Sequence, residues 1–204
     1  MEYYLPRILR TGVGPYHIPK RPDVYVKGIK LFTNIQIQTI EFCNLKCDFC
    51  PNHYIIWDRI EDKKKGIAYN TMSVENYTKI VKELVNLGYK GRFSPYLMNE
   101  PLIDKDRIVE FIRIAREHLP NVFIQMDSNG TGLTVELMRD MIDAGLNRIQ
   151  LDDYFDDKYA QRMLDIMSHF QNDNVNIIWL LVYYWDMLLV VLSNKDIDIN
   201  FKLR

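Results

Sequence analysis

The chain has only three cysteines among its 204 residues, and none of them lies outside the segment from Cys43 to Cys50. An odd number of such closely spaced thiols does not fit the paired framework of a disulfide-rich secreted protein. Excess charge is also missing, because 26 basic and 27 acidic residues leave a formal net charge of −1. A nucleic-acid-binding protein usually carries a strongly basic surface. We therefore expect neither a disulfide scaffold nor a nucleic-acid partner.

Features of export and of membrane insertion are also lacking. Residues 1–12 contain no basic region followed by an apolar run and a cleavage site, so we see no secretory signal. Residues 177–192 are apolar apart from Asp186, but they fall short of the about 20 residues that span a bilayer. We expect this run to be a buried strand that continues into an apolar helix or a second strand. The expected location is a reducing cytoplasm, with no membrane partner.

Apolar periodicity predicts strands and helices in alternation along most of the chain. Residues 1–33, which contain four prolines, are expected to form an irregular arm. Residues 53–70 are expected to form a loop with a solvated lysine tip. Ser73, Asp104 and Thr134 are candidate helix N-caps. The predicted strands are 34–42, 92–98, 121–130, 147–153 and 174–182, and the predicted helices are 74–88, 104–119, 134–145 and 155–170.

This order predicts an α/β fold with parallel strands joined by right-handed crossovers. A closed eight-unit barrel needs about 250 residues, so we expect a partial (β/α) barrel of about five to six units. We expect the arm at 1–33, the core at 34–183 and a C-terminal tail of uncertain role at 184–204. Because the chain ends soon after its fifth predicted strand, a truncated homologue is one of the expectations.

Chemically distinctive residues follow the predicted strands. Cys43 follows the first strand, Asn99 and Glu100 the second, Ser128 the third and Asp152 the fourth. Ligands of parallel α/β sheets gather at the carboxyl ends of the strands. We therefore expect these residues to meet in one site.

The cysteines themselves indicate a metal centre. Cys43, Cys47 and Cys50 are separated by four and three positions, and closely spaced cysteines hold iron–sulfur clusters. Three protein ligands leave one position open, which is typical of a catalytic metal. The alternatives are a structural zinc site completed by His53 and three buried cysteines with no metal role.

The pattern Cys43-x-x-x-Cys47-x-x-Cys50, with Phe49 before the last cysteine, resembles the signature of the radical S-adenosylmethionine (SAM) superfamily. Further similarities follow in order over residues 34 to about 170. The segment 98–102 resembles the family's Gly-Gly-Glu-Pro motif, although Met98 and Asn99 replace the two glycines. The segment 128–131 resembles Thr-Asn-Gly-Thr, and 151–152 resembles the end of Ser-Leu-Asp.

The resemblance implies that the three cysteines hold a 4Fe–4S cluster whose fourth iron position is taken by SAM. Reductive cleavage of SAM would give a 5′-deoxyadenosyl radical that abstracts hydrogen from a substrate. It also implies an electron donor such as flavodoxin or ferredoxin. The expected SAM contacts are Phe49, Asn99, Glu100, Ser128, Asn129 and Asp152.

Within the superfamily, the chain looks most like the branch of peptide-modifying maturases and cofactor-assembly enzymes, without their cysteine-rich C-terminal extension. This branch implies a peptide as one candidate substrate. Two alternatives are kept. One is an activating enzyme that places a glycyl radical on a partner protein, and the other is a non-catalytic iron–sulfur protein or degenerate homologue.

Overall fold

A computed structural model of the chain describes residues 25–26, 29–30, 32–47, 50–66, 68–153, 157–182 and 189–193. These residues form eight strands, five α-helices and a single 3₁₀ turn at Pro101–Ile103. The strands are β1 (Tyr25–Val26), β2 (Ile29–Lys30), β3 (Asn34–Gln36), β4 (Arg92–Ser94), β5 (Phe123–Ser128), β6 (Arg148–Asp153), β7 (Asn176–Val182) and β8 (Leu189–Ser193). The helices are α1 (His53–Lys64), α2 (Val74–Asn86), α3 (Lys105–His118), α4 (Val135–Asp143) and α5 (Asp157–Ser168).

One six-stranded sheet organises the molecule, with the strand order β3-β4-β5-β6-β7-β8. The first five strands are parallel, and β8 runs antiparallel to β7. Helices α2, α3, α4 and α5 each connect two neighbouring parallel strands. The expected α/β fold with a parallel, partial-barrel sheet is therefore confirmed. Strands β1 and β2 form a separate antiparallel pair within the segment expected to be the irregular arm.

The C-terminal apolar run contains two strands rather than a single span. Residues 176–182 pair with residues 189–193 through the β7–β8 ladder, in which Leu180 lies opposite Val191. This matches the expected strand followed by a second strand. Within the described parts of the chain, no helix is both long and apolar enough to cross a membrane.

The hydrophobic core lies between one face of the sheet and the helices. Ser73 caps α2 by accepting a hydrogen bond from the Asn76 backbone, and Thr134 caps α4 in the same way. Both caps were predicted. Helix α2 buries Tyr77, whose ring stacks on Phe111 of α3 with centroids 4.1 Å apart. Val85, near the end of the same helix, is 44% exposed.

The prediction of a loop at 53–70 is wrong, because α1 occupies most of that segment. The apolar residues of this helix do not form a clear one-sided stripe, so the usual sequence signal is weak. Ion pairs hold this helix in place instead. Arg59 pairs with Asp62 one turn along the helix, and it also pairs at 2.7 Å with Glu41, which lies in a distant segment. Lys63 and Lys64 lie in the last turn, where cations favour the helix dipole.

Two predicted strands are shorter than expected. The chain leaves the sheet after Gln36, although Ile40 still forms an isolated bridge with Thr71. Strand β4 ends at Ser94, because Pro95 has no N–H to continue the ladder. The residues released from β3 and β4 form the loops that carry the site. Asp104 precedes α3 as expected, but its carboxylate pairs with Arg107 rather than capping the backbone.

Candidate active site

Glu100 is the central side chain of the candidate site and is only 3% exposed. Its Oε1 accepts hydrogen bonds from Ser128 Oγ at 2.7 Å and from Leu102 N at 3.0 Å. Its Oε2 accepts one from Asn129 N at 2.8 Å. The loop after β4 is thereby joined to the loop after β5 through one buried carboxylate.

The electrostatics of Glu100 are set by burial and by these donors. Burial raises the pKa of its carboxyl group, while the bonds from Ser128, Asn129 and Leu102 act in the opposite direction. An ionised carboxylate has about four lone-pair positions, and the described donors occupy three of them. The position that remains lies on Oε2, where a positively charged donor would be well matched.

The Glu100 loop lies against the cysteine segment at two points. The Glu100 backbone N–H donates to Phe42 O at 3.0 Å, one residue before Cys43. The side chain of Asn52, two residues after Cys50, donates to Met98 O at 3.4 Å. The segment from Met98 to Glu100 is therefore held beside the cysteines at both of its ends.

Cys43 is half-buried and lies within reach of N–H donors. Leu45 N lies 3.5 Å from its Sγ, and the side-chain nitrogen of Asn129 lies 3.9 Å from it. The same Asn129 nitrogen donates to Asn44 Oδ1 at 2.9 Å. Burial raises the pKa of the Cys43 thiol to about 11, and the negative charge of Glu100 adds to the rise. A metal cation has the opposite effect and favours the thiolate.

Cys47 and Cys50 are also half-buried, and the Cys50 N–H donates to Cys47 O at 3.0 Å. Across the described stretches, no three His, Cys, Asp or Glu side chains are grouped so that they could hold one metal ion. An iron–sulfur cubane differs from a single ion, because each of its irons takes its own cysteine. Three separate soft thiols fit that requirement, and the sulfur of Cys43 has N–H donors beside it.

Asn99 supplies a buried polar group without a partner. The side chain is 8% exposed, and its Oδ1 accepts a hydrogen bond from Leu97 N at 3.1 Å. Its Nδ2 is buried and has no hydrogen-bond partner among the described residues. A buried unpaired donor is costly, so this amide is a candidate for a contact with a bound ligand.

The face of β4, β5 and β6 opposite the helices is mostly polar. Alternate side chains of these strands that do not enter the core are Arg92, Ser94, Phe123, Gln125, Asp127, Arg148, Gln150 and Asp152. Arg148 donates to Gln150 at 3.0 Å, and Gln150 donates to Asp152 at the same distance. Arg92 lies 3.4 Å from Gln125. This inner face leads towards the loops that carry Glu100 and Asn129.

The Tyr96–Asp127 pair on the inner face was not recognised from the sequence. The Tyr96 hydroxyl donates to a carboxylate oxygen of Asp127, and burial raises the pKa of both groups. Asp152 raises the pKa of Tyr96 further, whereas Arg148 lowers it. A sequence signal existed in Asp127, a charged residue at an inward strand position two residues before Asn129.

Several predicted site residues do come together. Hydrogen bonds join Cys43, Glu100, Ser128 and Asn129 in one group, and Asn99 adjoins it in sequence. Tyr159 of α5 fixes the far side of this group by donating to Asn129 O. Asp152 lies on the inner face of β6, one residue beyond Leu151, which pairs with Ser128. Phe49 lies outside the described residues.

Comparison with known proteins identifies relatives over the same part of the chain. The model of the radical SAM superfamily matches residues 37–169. The S-adenosyl-L-methionine-dependent 2-deoxy-scyllo-inosamine dehydrogenase of Niallia circulans is 26% identical over 119 residues, which is 58% of this chain and 44% of that protein. An uncharacterised protein of Methanocaldococcus jannaschii is 27% identical over 162 residues, covering 71% of this chain and 36% of the relative. The chain thus spans less than half the length of both.

Two solved structures share the fold. BtrN in an open conformation has a TM-score of 0.51 at 23% identity, covering 61% of this chain and 51% of BtrN. BtrN in complex with AdoMet and 2-DOIA has a TM-score of 0.54 at 18% identity, covering 74% of this chain and 70% of BtrN. At these identities the similarity concerns the fold.

Proposed function

Because this chain belongs to the radical SAM superfamily, we propose that it binds a 4Fe–4S cluster and SAM and cleaves SAM reductively to begin radical chemistry on a polar substrate. The cluster ligands in this proposal are Cys43, Cys47 and Cys50. The core spans residues 34–183, with the arm and the tail on either side. The proposed electron donor is a small reductant such as flavodoxin or ferredoxin.

The bound cofactors would supply the hard chemistry: one electron from the reduced cluster breaks a carbon–sulfur bond of SAM to give methionine and a 5′-deoxyadenosyl radical. The protein residues have simpler roles. Glu100 holds two loops together and offers its remaining acceptor to the ammonium group of SAM. The side-chain amide of Asn129 donates towards Cys43 Sγ and thereby holds the loop after β5 beside the cysteine segment.

The observation that carries this proposal is the hydrogen-bonded group of Cys43, Glu100, Ser128 and Asn129. These residues come from the end of β5 and from the segments that follow β3, β4 and β5, and a purely structural role would not need a buried carboxylate beside a thiol. Such perturbed, clustered groups are typical of functional sites. The remaining expected contacts, Phe49 near the adenine and Asp152 near the ribose, belong to the same proposal.

The test is SAM cleavage by the purified protein. After anaerobic purification and reconstitution with iron and sulfide, dithionite and SAM should yield 5′-deoxyadenosine and methionine. The Cys47→Ala variant should lose both the cluster absorption and the product. A wild-type protein with a complete 4Fe–4S spectrum and no 5′-deoxyadenosine would contradict the enzymatic proposal and favour the non-catalytic iron–sulfur alternative.

For the substrate we propose a polar molecule that lies along the inner face of the sheet. On β4, β5 and β6 this face carries two arginines and two aspartates, so it is suited to hydroxyl, amide and ammonium groups. The maturase resemblance points to a peptide, and the name of the N. circulans relative points to an aminocyclitol. Mass spectrometry of both substrate classes after turnover would distinguish them. A glycyl radical detected on a partner protein would instead support the activating-enzyme alternative.

A further inference from the structure

The side-chain amide of Asn99 is a buried polar group beside the candidate site, and the described residues provide a partner for its oxygen but not for its nitrogen. Its oxygen accepts from the Leu97 backbone N–H at 3.1 Å, and this contact fixes the orientation of the amide, since an N–H must face an oxygen. Its nitrogen therefore faces away from Leu97. That nitrogen is buried and without a hydrogen-bond partner among the described residues.

The position of Asn99 restricts what can meet this nitrogen. The residue before it, Met98, accepts a hydrogen bond from Asn52, and the residue after it, Glu100, donates to Phe42. Both contacts reach the segment that contains the cysteines. An acceptor for the Asn99 amide would therefore lie beside the cysteine loop and next to the carboxylate of Glu100.

We propose that the Asn99 side-chain amide donates a hydrogen bond to the carboxylate of the methionine end of SAM; this inference depends on the proposed function. The α-carbon of an amino acid carries an ammonium and a carboxylate group side by side. Glu100 offers an acceptor for the ammonium group, and Asn99 offers a donor for the carboxylate. A donor facing a charged acceptor forms one of the stronger kinds of hydrogen bond.

The residue at position 99 differs from the one in the motif that the segment resembles. A glycine at this position, as in the motif that residues 98–102 resemble, would offer only its backbone, whereas asparagine adds a side-chain donor and is held by Leu97. The inference thus assigns to Asn99 the recognition of one functional group of SAM. It does not require Asn99 to hold the cluster.

The decisive variant is Asn99→Asp, which has the same shape. An aspartate still accepts the Leu97 hydrogen bond, so a merely structural role is kept, but the donor is replaced by a negatively charged oxygen. Binding is measured by anaerobic calorimetry on the reconstituted protein at pH 8, without turnover. The two ligands are SAM and decarboxylated SAM, which keeps the sulfonium and amino groups and lacks the carboxylate.

The expected result concerns a ratio of affinities. Wild-type protein should bind SAM more tightly than decarboxylated SAM. The Asn99→Asp variant should lower this preference at least about tenfold, mainly by lowering the affinity for SAM. Asn147→Asp is the matched control, because the half-buried Asn147 also accepts a backbone N–H through its side-chain oxygen, together with an arginine N–H, but at the opposite end of the sheet. It should keep the wild-type preference.

Other outcomes separate the possible failures. If wild-type protein with a complete cluster binds neither ligand, the proposed function itself fails. If Asn99→Asp lowers the affinity for both ligands equally, the inference is overturned. It is also overturned if Asn147→Asp changes the preference for SAM as much as Asn99→Asp does. Should Asn99→Asp not fold, Asn99→Ala is measured in the same way, and an unchanged preference for SAM in that variant also overturns it.

Discussion

Two buried serines show how much a single hydroxyl depends on its partners. Ser128 donates to Glu100 and accepts from the Gly130 N–H at 2.9 Å, whereas the buried hydroxyl of Ser94 has no hydrogen-bond partner among the described residues. We predict that Ser128→Ala lowers the free energy of unfolding by about 1–3 kcal/mol, because two buried groups lose a partner. The measurement is urea unfolding of the metal-free protein.

Ser94→Ala is the matched control for that prediction. Both serines are almost fully buried at the ends of neighbouring strands. Because removing an unpaired buried hydroxyl removes only a desolvation cost, Ser94→Ala should be neutral or slightly stabilising. Equal losses in the two variants would show that the Glu100–Ser128 contact contributes nothing beyond side-chain volume.

Asp127 gives a second prediction at the level of one residue, and it concerns pH. Burial raises the pKa of its carboxyl group above the ordinary value, although the Tyr96 hydroxyl and Arg148 act in the opposite direction. As the pH rises, the Asp127 carboxyl group therefore ionises first in the unfolded state. The native state loses stability relative to the unfolded state until the pH passes the higher pKa that this group has in the native protein. Asp127→Asn removes this loss, so its stability relative to wild type should increase from pH 4 to pH 8.

The measurement is the free energy of unfolding of both proteins at several pH values. Glu100 also has a raised pKa, but it is present in both proteins and so cancels in the difference. Tyr96→Phe should do the opposite, since it leaves the Asp127 carboxylate without its donor and costs most at pH 8, when that group is ionised. A difference between Asp127→Asn and wild type that stays constant with pH would contradict the assignment.

At the scale of elements, the sequence predicted what depends on local signals. The caps of α2 and α4 involve residues three positions apart, so Ser73 and Thr134 could be identified without a structure. Helix α1 could not be identified in this way, because its Arg59 is bound by Glu41, which lies eighteen positions earlier along the chain. The same distinction applies to the site. Strand ends predicted which residues meet, but the bonds of Glu100 depend on how two loops come together in space.

Helices α2 and α4 end at glycines that differ in their surroundings. Gly88 has φ +64° with nothing near its missing Cβ, whereas a Cβ on Gly145, at φ +107°, would lie 2.7 Å from Arg116. We predict that Gly88→Ala costs about 1–2 kcal/mol for the backbone conformation alone. Gly145→Ala should cost more, because Arg116 is held in place by Gly145 O and Asn147. Urea unfolding checks both, and equal costs would mean that Arg116 moves away freely.

For the whole molecule, the question is whether the fold depends on its metal centre. The hydrophobic core is built from α2 to α5 and from β4 to β7, and the three cysteines are not part of it. A small zinc domain differs, because its binding energy is its folding energy. Here a large core exists without the cysteine segment, and folding should therefore precede cluster binding.

We accordingly predict that the metal-free protein keeps its secondary structure and unfolds in one cooperative transition. Reconstitution should raise the Tm, since a ligand that binds only the native state stabilises it. Cys47→Ala should abolish that increase while changing the metal-free Tm by about 3 °C or less, which corresponds to about 1 kcal/mol for a chain of this size. Circular dichroism and hydrogen exchange provide the measurements. Cluster binding should increase protection of residues 42–52 and leave β5 and β6 unchanged, whereas loss of protection in β5 and β6 on chelation would show that the metal centre is part of the folding core.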